Sequence, residues 1–188
     1  DTLLLNDEKN KKDLYKQTTV NEDALPDSSK ALTSCPPLFR LGNYDILKRI
    51  GKGGMGEVFL AYEKVCSRLV ALKRIKPELK DRKMIYNRFL REAKITSQLP
   101  HPAIIPIYAL GKEKDFIYYT MPYLEGDTLR DLLKQAREEK GHFHKKEGHK
   151  YSIPSLVRYF LPICQAIAYA HSKSVIHRDI KPENIIVG

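Results

Sequence analysis

The stretch Gly51-Lys52-Gly53-Gly54-Met55-Gly56 constrains this 188-residue chain more than any other. Four glycines in six positions let a backbone approach a polyphosphate and present its N–H groups with no Cβ in the way. The G-x-G-x-x-G spacing is weak evidence by itself, and its flanks decide what it means. The dinucleotide-binding form runs from a strand into a helix. Here residues 44–50 (YDILKRI) and 57–63 (EVFLAYE) both read as extended, so the glycines join two strands. That disfavours a nicotinamide cofactor and suits a hairpin folded over phosphates. A plain flexible glycine turn is the competing reading.

The surrounding organisation supports a sheet at that point. Residues 1–40 hold few apolar residues without a period, and their Pro and Ser clusters break structure. They read as a polar tail or linker, mostly disordered. Residues 68–75 (RLVALKRI) add a third strand, then residues 83–99 place apolar side chains at helical spacing up to Pro100. Residues 104–111 and 115–121 return to strands. Residues 127–139 are helical, with Asp127 or Thr128 as N-cap. A polar loop over 141–150 leads to the most apolar helix, 153–172, which Pro162 threatens to kink. Strands first and helices after predict an α+β fold with two lobes.

Composition narrows the function classes. Lys and Arg exceed Asp and Glu by 33 to 23, and eleven bases against three acids fall between Lys64 and Lys94. No aromatic platform interleaves with those bases, so a solvated face is favoured over a nucleic-acid surface. Cys35, Cys66 and Cys164 are odd in number and far apart, which argues against a disulfide scaffold or zinc ribbon. No apolar run reaches membrane-spanning length.

Two further groups carry chemistry. Lys73 lies on the third strand with Ala71 on the same face, and Glu92 lies in the following helix. A carboxylate there can hold the lysine so that its ammonium reaches phosphates as a point charge. An exposed edge charge is the bland reading of such a lysine. Near the end, Asp179, Lys181 and Asn184 stand inside residues 175–187 (VIHRDIKPENIIV). A carboxylate can take a hydroxyl proton, a lysine can neutralise a transferring phosphoryl group, and an amide oxygen can ligate Mg²⁺.

Together IGKGGMGEV, VALK, the glutamate of FLREAK and HRDIKPEN resemble, in that order, the eukaryotic-type serine/threonine protein kinases of bacteria. The resemblance covers residues 44–188. CSRLVALKRI, RFLREAKI and YYTMPYLEGDTL are similar to the PknD group of chlamydia-like bacteria. It implies a tail over 1–40, an ATP-binding N-lobe with a complete antiparallel sheet and its helix over 41–121, and a hinge with a partial helical C-lobe over 122–188. It implies a transferase that moves the ATP γ-phosphoryl to protein Ser or Thr hydroxyls, with ATP and Mg²⁺ (or Mn²⁺). Ile50, Gly51, Lys52, Gly53, Gly54, Met55, Gly56, Glu57 and Val58 would cover the nucleotide. Val58 and Ala71 would pack above the adenine and Ile186 below it. Met121 would be the gatekeeper, with Pro122, Tyr123 and Leu124 as hinge and adenine bonded near Tyr123. Lys73 would bind phosphates and pair with Glu92. Asp179 would be the catalytic base, Lys181 the γ-phosphate contact and Asn184 a metal ligand. Arg178 resembles the arginine of kinases switched by activation-loop phosphorylation.

The residues stop at Gly188 with no Asp-Phe-Gly after the loop, so the expectation is a piece of a longer kinase, unstable and inactive alone. Expected partners are ATP and protein substrates, with no nucleic acid and no membrane segment, and with dimerisation for autophosphorylation allowed. The expected compartment is cytoplasmic, with tethering through other regions left open. His142, His144 and His149 have no standard metal spacing and read as a solvated insertion. His177 reads as a brace for the loop. A pseudokinase or nucleotide-binding scaffold is the alternative. A small-molecule phosphotransferase and a nucleic-acid binder rank below it.

Overall fold

The computed structural model describes residues 36–138 and 153–187. The tail up to residue 35 and the polar loop with its three histidines lie outside the described residues.

Six antiparallel strands form one sheet: β1 (Phe39–Leu41), β2 (Tyr44–Lys52), β3 (Gly56–Glu63), β4 (Arg68–Ile75), β5 (Ala109–Glu113) and β6 (Phe116–Pro122). Their spatial order is β1-β2-β3-β4-β6-β5. Strand alternation gives this sheet two apolar faces. On one face Tyr44, Ile46, Phe59, Ala61, Val70, Leu72 and Tyr118 form a closed core. On the other, Ile75, Ile117 and Tyr119 meet Phe89 and Ala93 of helix α1 (Lys83–Thr96). Phe89 is fully buried, and removing such a ring from water stabilises by about 2–3 kcal/mol.

The sheet starts earlier than the boundary drawn at residue 41. Phe39 pairs with Ile46 and sets its ring edge-on to Phe59 at 5.5 Å, so β1 belongs to the core despite the Pro36-Pro37 break before it. Two register shifts in β2, between Ile46 and Lys48 and between Arg49 and Gly51, bend the strand as it approaches the glycines. The strand expected over 104–111 is shorter: residues 104–108 are irregular and β5 runs Ala109–Glu113. Pro106 has no N–H to give a ladder. Helix α1 stops at Thr96, three residues before its expected end.

Beyond β6, Asp127–Thr128 form β7, and α2 runs Leu129–Glu138. Thr128, not Asp127, is the cap. Its Oγ1 accepts from Asp131 N–H at 3.2 Å, while its own N–H donates to Asp131 Oδ2 at 3.3 Å. This reciprocal pair is a capping box. Helix α3 (Ile153–Ser172) continues through Pro162. A 3₁₀ turn at Pro182–Asn184 leads into β8 (Ile186–Val187), which pairs antiparallel with β7. The expected α+β, two-lobed arrangement is what the chain adopts. No helix among the described residues is long and apolar enough to cross a membrane.

Candidate active site

The glycine segment turns between β2 and β3. Gly53 N–H donates to Gly56 O at 2.9 Å and closes the tip. Two of the glycines differ in what surrounds them. A Cβ on Gly56 would lie 2.7 Å from Arg74 O, so the close approach of β4 excludes any other residue. A Cβ on Gly54 would meet nothing within 4 Å. Packing within the chain therefore does not explain that glycine, whereas room for a ligand would. Ile50 and Lys52 are exposed, and Met55 is half-buried with its carbonyl accepting from Lys76 N–H at 3.2 Å. Glu57 is buried. Its two oxygens accept from Arg49 at 3.1 Å and Arg74 at 3.3 Å. The Arg74 guanidinium lies 4.6, 4.8 and 5.1 Å from the ring centres of Phe39, Phe59 and Phe116. Burial would raise the Glu57 carboxyl, but hydrogen bonds and charge from both arginines outweigh it and hold it below the ordinary carboxylate value.

Lys73 faces helix α1. Its register partners are Val58 on β3 and Tyr119 on β6, while Ala71 pairs with Met121. Val58, Ala71, Lys73, Tyr119 and Met121 thus share one sheet face. Lys73 Nζ donates to Glu92 Oε1 at 2.5 Å, joining β4 to α1. Tyr119 OH donates to the same oxygen at 2.7 Å. Burial pushes the Glu92 carboxyl up, but the Lys73 charge and both hydrogen bonds bring it below its ordinary value. Burial, then the Glu92 charge, push the Tyr119 hydroxyl well above its ordinary value, so it stays a donor.

The third group sits after α3. Arg178 has φ 64°, a conformation non-glycine residues seldom adopt, and it follows His177 at the entry to the loop. His177 Nδ1 accepts from Asp179 N–H at 3.3 Å, which braces the turn as expected. Asp179 is exposed. Lys181 Nζ lies 3.0 Å from its Oδ1, and Asn184 Nδ2 donates to its Oδ2 at 3.0 Å and its carbonyl at 2.8 Å. The hydrogen bond from Lys181 first, and that from Asn184 next, hold its carboxyl below the ordinary value. The loop is fixed from below by Arg130 to Glu183 at 2.9 Å and by Leu129 N–H to Ile185 O at 2.8 Å. Tyr123 follows β6 half-buried, and Ile186 lies on β8, exposed.

Three sequence-designated groups are therefore locally assembled: the closed glycine turn, the Lys73–Glu92 pair, and Asp179 with Lys181 and Asn184. Sequence reasoning missed Tyr119, whose place in an apolar strand reads as core, and the Arg49–Glu57–Arg74 clasp. Register would have found both, since Lys73 faces Tyr119 and Glu57 faces Arg74. Among the described residues no cluster of three His, Cys, Asp or Glu side chains could hold a metal.

Comparison with known proteins gives a consistent result. The protein kinase domain family matches residues 44–188. Over 145 residues the chain is 52% identical to the serine/threonine-protein kinase PknD of Protochlamydia amoebophila, covering 77% of this chain and 15% of that protein. It is 49% identical to PknD of Chlamydia pneumoniae, covering 77% of this chain and 16% of that protein. The chain thus spans about one-sixth of the length of these relatives. In fold it is similar to the PknI kinase domain of Mycobacterium tuberculosis (TM-score 0.60, 21% identity, 79% of this chain and 57% of that one). It is also similar to PpkA in its apo form (TM-score 0.65, 24% identity, 81% and 57%). With its glycine turn, its lysine–glutamate pair and a match running from Tyr44 to the last residue, the chain belongs to the protein kinase family.

Proposed function

We propose that this chain carries the nucleotide-binding lobe and catalytic loop of a serine/threonine protein kinase, which transfers the γ-phosphoryl of ATP to Ser or Thr hydroxyls of proteins. The observation that carries it is the Lys73–Glu92 ion pair on the face that also bears Val58, Ala71 and Met121, beside a closed glycine turn. In this reading the N-lobe drawn over 41–121 begins with β1 at Phe39, the residues before it are a tail, and 122–188 are the hinge and the C-lobe portion.

The glycine turn covers the phosphates with main-chain N–H groups, and Ile50, Val58, Ala71, Met121 and Ile186 enclose the adenine. The main chain at Tyr123 bonds its edge. Lys73, held by Glu92, takes the α- and β-phosphates. Asp179 orients and accepts the proton of the attacking hydroxyl. A carboxylate held below its ordinary value is ionised at neutral pH and ready for that role. Lys181 sits beside it and neutralises charge on the moving phosphoryl group. Transfer of this kind rests on positioning and charge more than on covalent chemistry.

The residues fit a divalent cation held largely by phosphate oxygens and water. Asn184 uses its amide nitrogen on Asp179, which leaves Oδ1 as a hard oxygen donor. Magnesium or manganese, when bound, offsets phosphate charge.

The test is Asp179→Asn in the full-length protein. It removes the proton acceptor and leaves the nucleotide groups, so kcat should fall by roughly 10²–10⁴-fold with KM for ATP nearly unchanged. Near-normal turnover would show that the base lies elsewhere.

A further inference from the structure

We infer that Tyr119 is a positioning residue of the phosphate-binding pair: its hydroxyl pins Glu92, and with it helix α1, to the sheet while Lys73 is shared with the nucleotide. The inference rests on the kinase reading above and adds a third member to the pair.

The geometry is specific. Lys73 and Tyr119 are cross-strand partners on β4 and β6, so the ladder fixes their spacing. Both donate to one oxygen, Glu92 Oε1, at 2.5 and 2.7 Å. The Tyr119 ring lies 5.4 Å from the Lys73 ammonium and 5.0 Å from Phe89, the buried anchor of α1. Only 5% of Tyr119 is exposed.

The two donors differ in stiffness. A lysine ammonium ends a four-carbon stem and can swing towards a phosphate. A buried tyrosine, packed on Phe89, has no such freedom. When the ammonium turns to the nucleotide, Glu92 keeps one charge-assisted hydrogen bond from the sheet, so α1 stays docked. Without the hydroxyl, Lys73 is the remaining sheet donor to that oxygen and would have to serve both roles at once. The charged and titratable groups acting on Glu92 are Lys73 from β4, Tyr119 from β6 and Arg88 from its own helix. Losing the tyrosine donor therefore moves its ionisation upward.

The experiment compares wild type, Tyr119→Phe and Tyr118→Phe in the full-length protein. Tyr118 faces the opposite core, against Tyr44, so its variant controls for general loosening. Hydrogen exchange of α1 is measured in the nucleotide-free state, and kcat/KM for ATP is measured against pH. For Tyr119→Phe, α1 amides should exchange roughly two- to tenfold faster, the span expected for one hydrogen bond. Strands β2–β4 should keep their protection, and the acid limb of the pH profile should shift to higher pH. Tyr118→Phe should leave α1 unchanged. Unchanged α1 exchange in Tyr119→Phe, or equal acceleration in both variants, overturns the inference. Faster α1 exchange in a protein whose wild type neither binds nor turns over ATP keeps the pin and defeats the kinase reading instead.

Discussion

Lys73 is 23% exposed at its side chain and sits between a carboxylate and an aromatic ring, so its ammonium is neither a free surface charge nor a buried one. Glu92 decides where it points. Glu92→Gln keeps the shape, removes the charge and should cost about 10²-fold in kcat/KM, the scale expected when a reacting group is displaced by an ångström. Steady-state kinetics with varied ATP would check this. Acid acts on the same bond. The Glu92 carboxyl is held below its ordinary value, so its contribution is complete above the unfolded carboxylate range and is lost as pH falls through the folded value. Lys73, Glu92, Asp179, Lys181 and Asn184 were all legible as residues because fixed spacing brackets them. Tyr119 was not, since an apolar strand hides a hydroxyl until register shows its partner. The left-handed Arg178 was equally hidden, because backbone angles leave no mark on a residue's name.

At the scale of elements, the β2–β3 turn lies close against β4 at Gly56. Gly56→Ala would drive a methyl into Arg74 O. The expected loss is about 1–3 kcal/mol of stability, typical of overpacking, read as a lowered melting temperature. Phe89 is the largest fully buried side chain of helix α1. Phe89→Ala should cost about 3–5 kcal/mol and release the helix from β4 and β6, visible as lost exchange protection from Lys83 to Thr96. The periodicity of 83–99 made this helix legible, and the β-branched and aromatic stretches on either side of the glycines did the same for the hairpin. Residues 104–108 read as strand from their apolar residues, and the structure leaves them irregular. Their actual role is to lead the chain back to β5, with Tyr108 N–H donating to Thr120 O at 2.8 Å. Nothing local in the sequence shows that destination.

At the scale of the whole molecule, a ring stack joins the segment after α1 to the helices. His101, in the turn after α1, stacks on Tyr169 of α3 at 5.5 Å. On α3, Val157, Phe160 and Leu161 are each more than half exposed. A cleft of about 310 Å³ between Leu129, Leu133 and Phe160 lies beside them. The helix that the sequence marks as the most apolar thus leaves these side chains uncovered by the described residues. Acid should destabilise the molecule as a whole through Glu57 as well as Glu92. Both have lowered carboxyl values, so a melting temperature that is level near neutrality should fall on entering the carboxylate range and below it. The two-lobed fold was legible from the order of strands and helices. The pairing of β7 with β8 was not, since two residues carry no periodicity. That pairing has a topological effect. By joining Asp127 to Val187 it closes α2, α3 and the Asp179 loop into a ring of about 60 residues. Asp179 therefore rides on a closed circuit rather than on a dangling strand. The chain enters that ring from the sheet through Tyr123–Gly126, the four residues between β6 and β7.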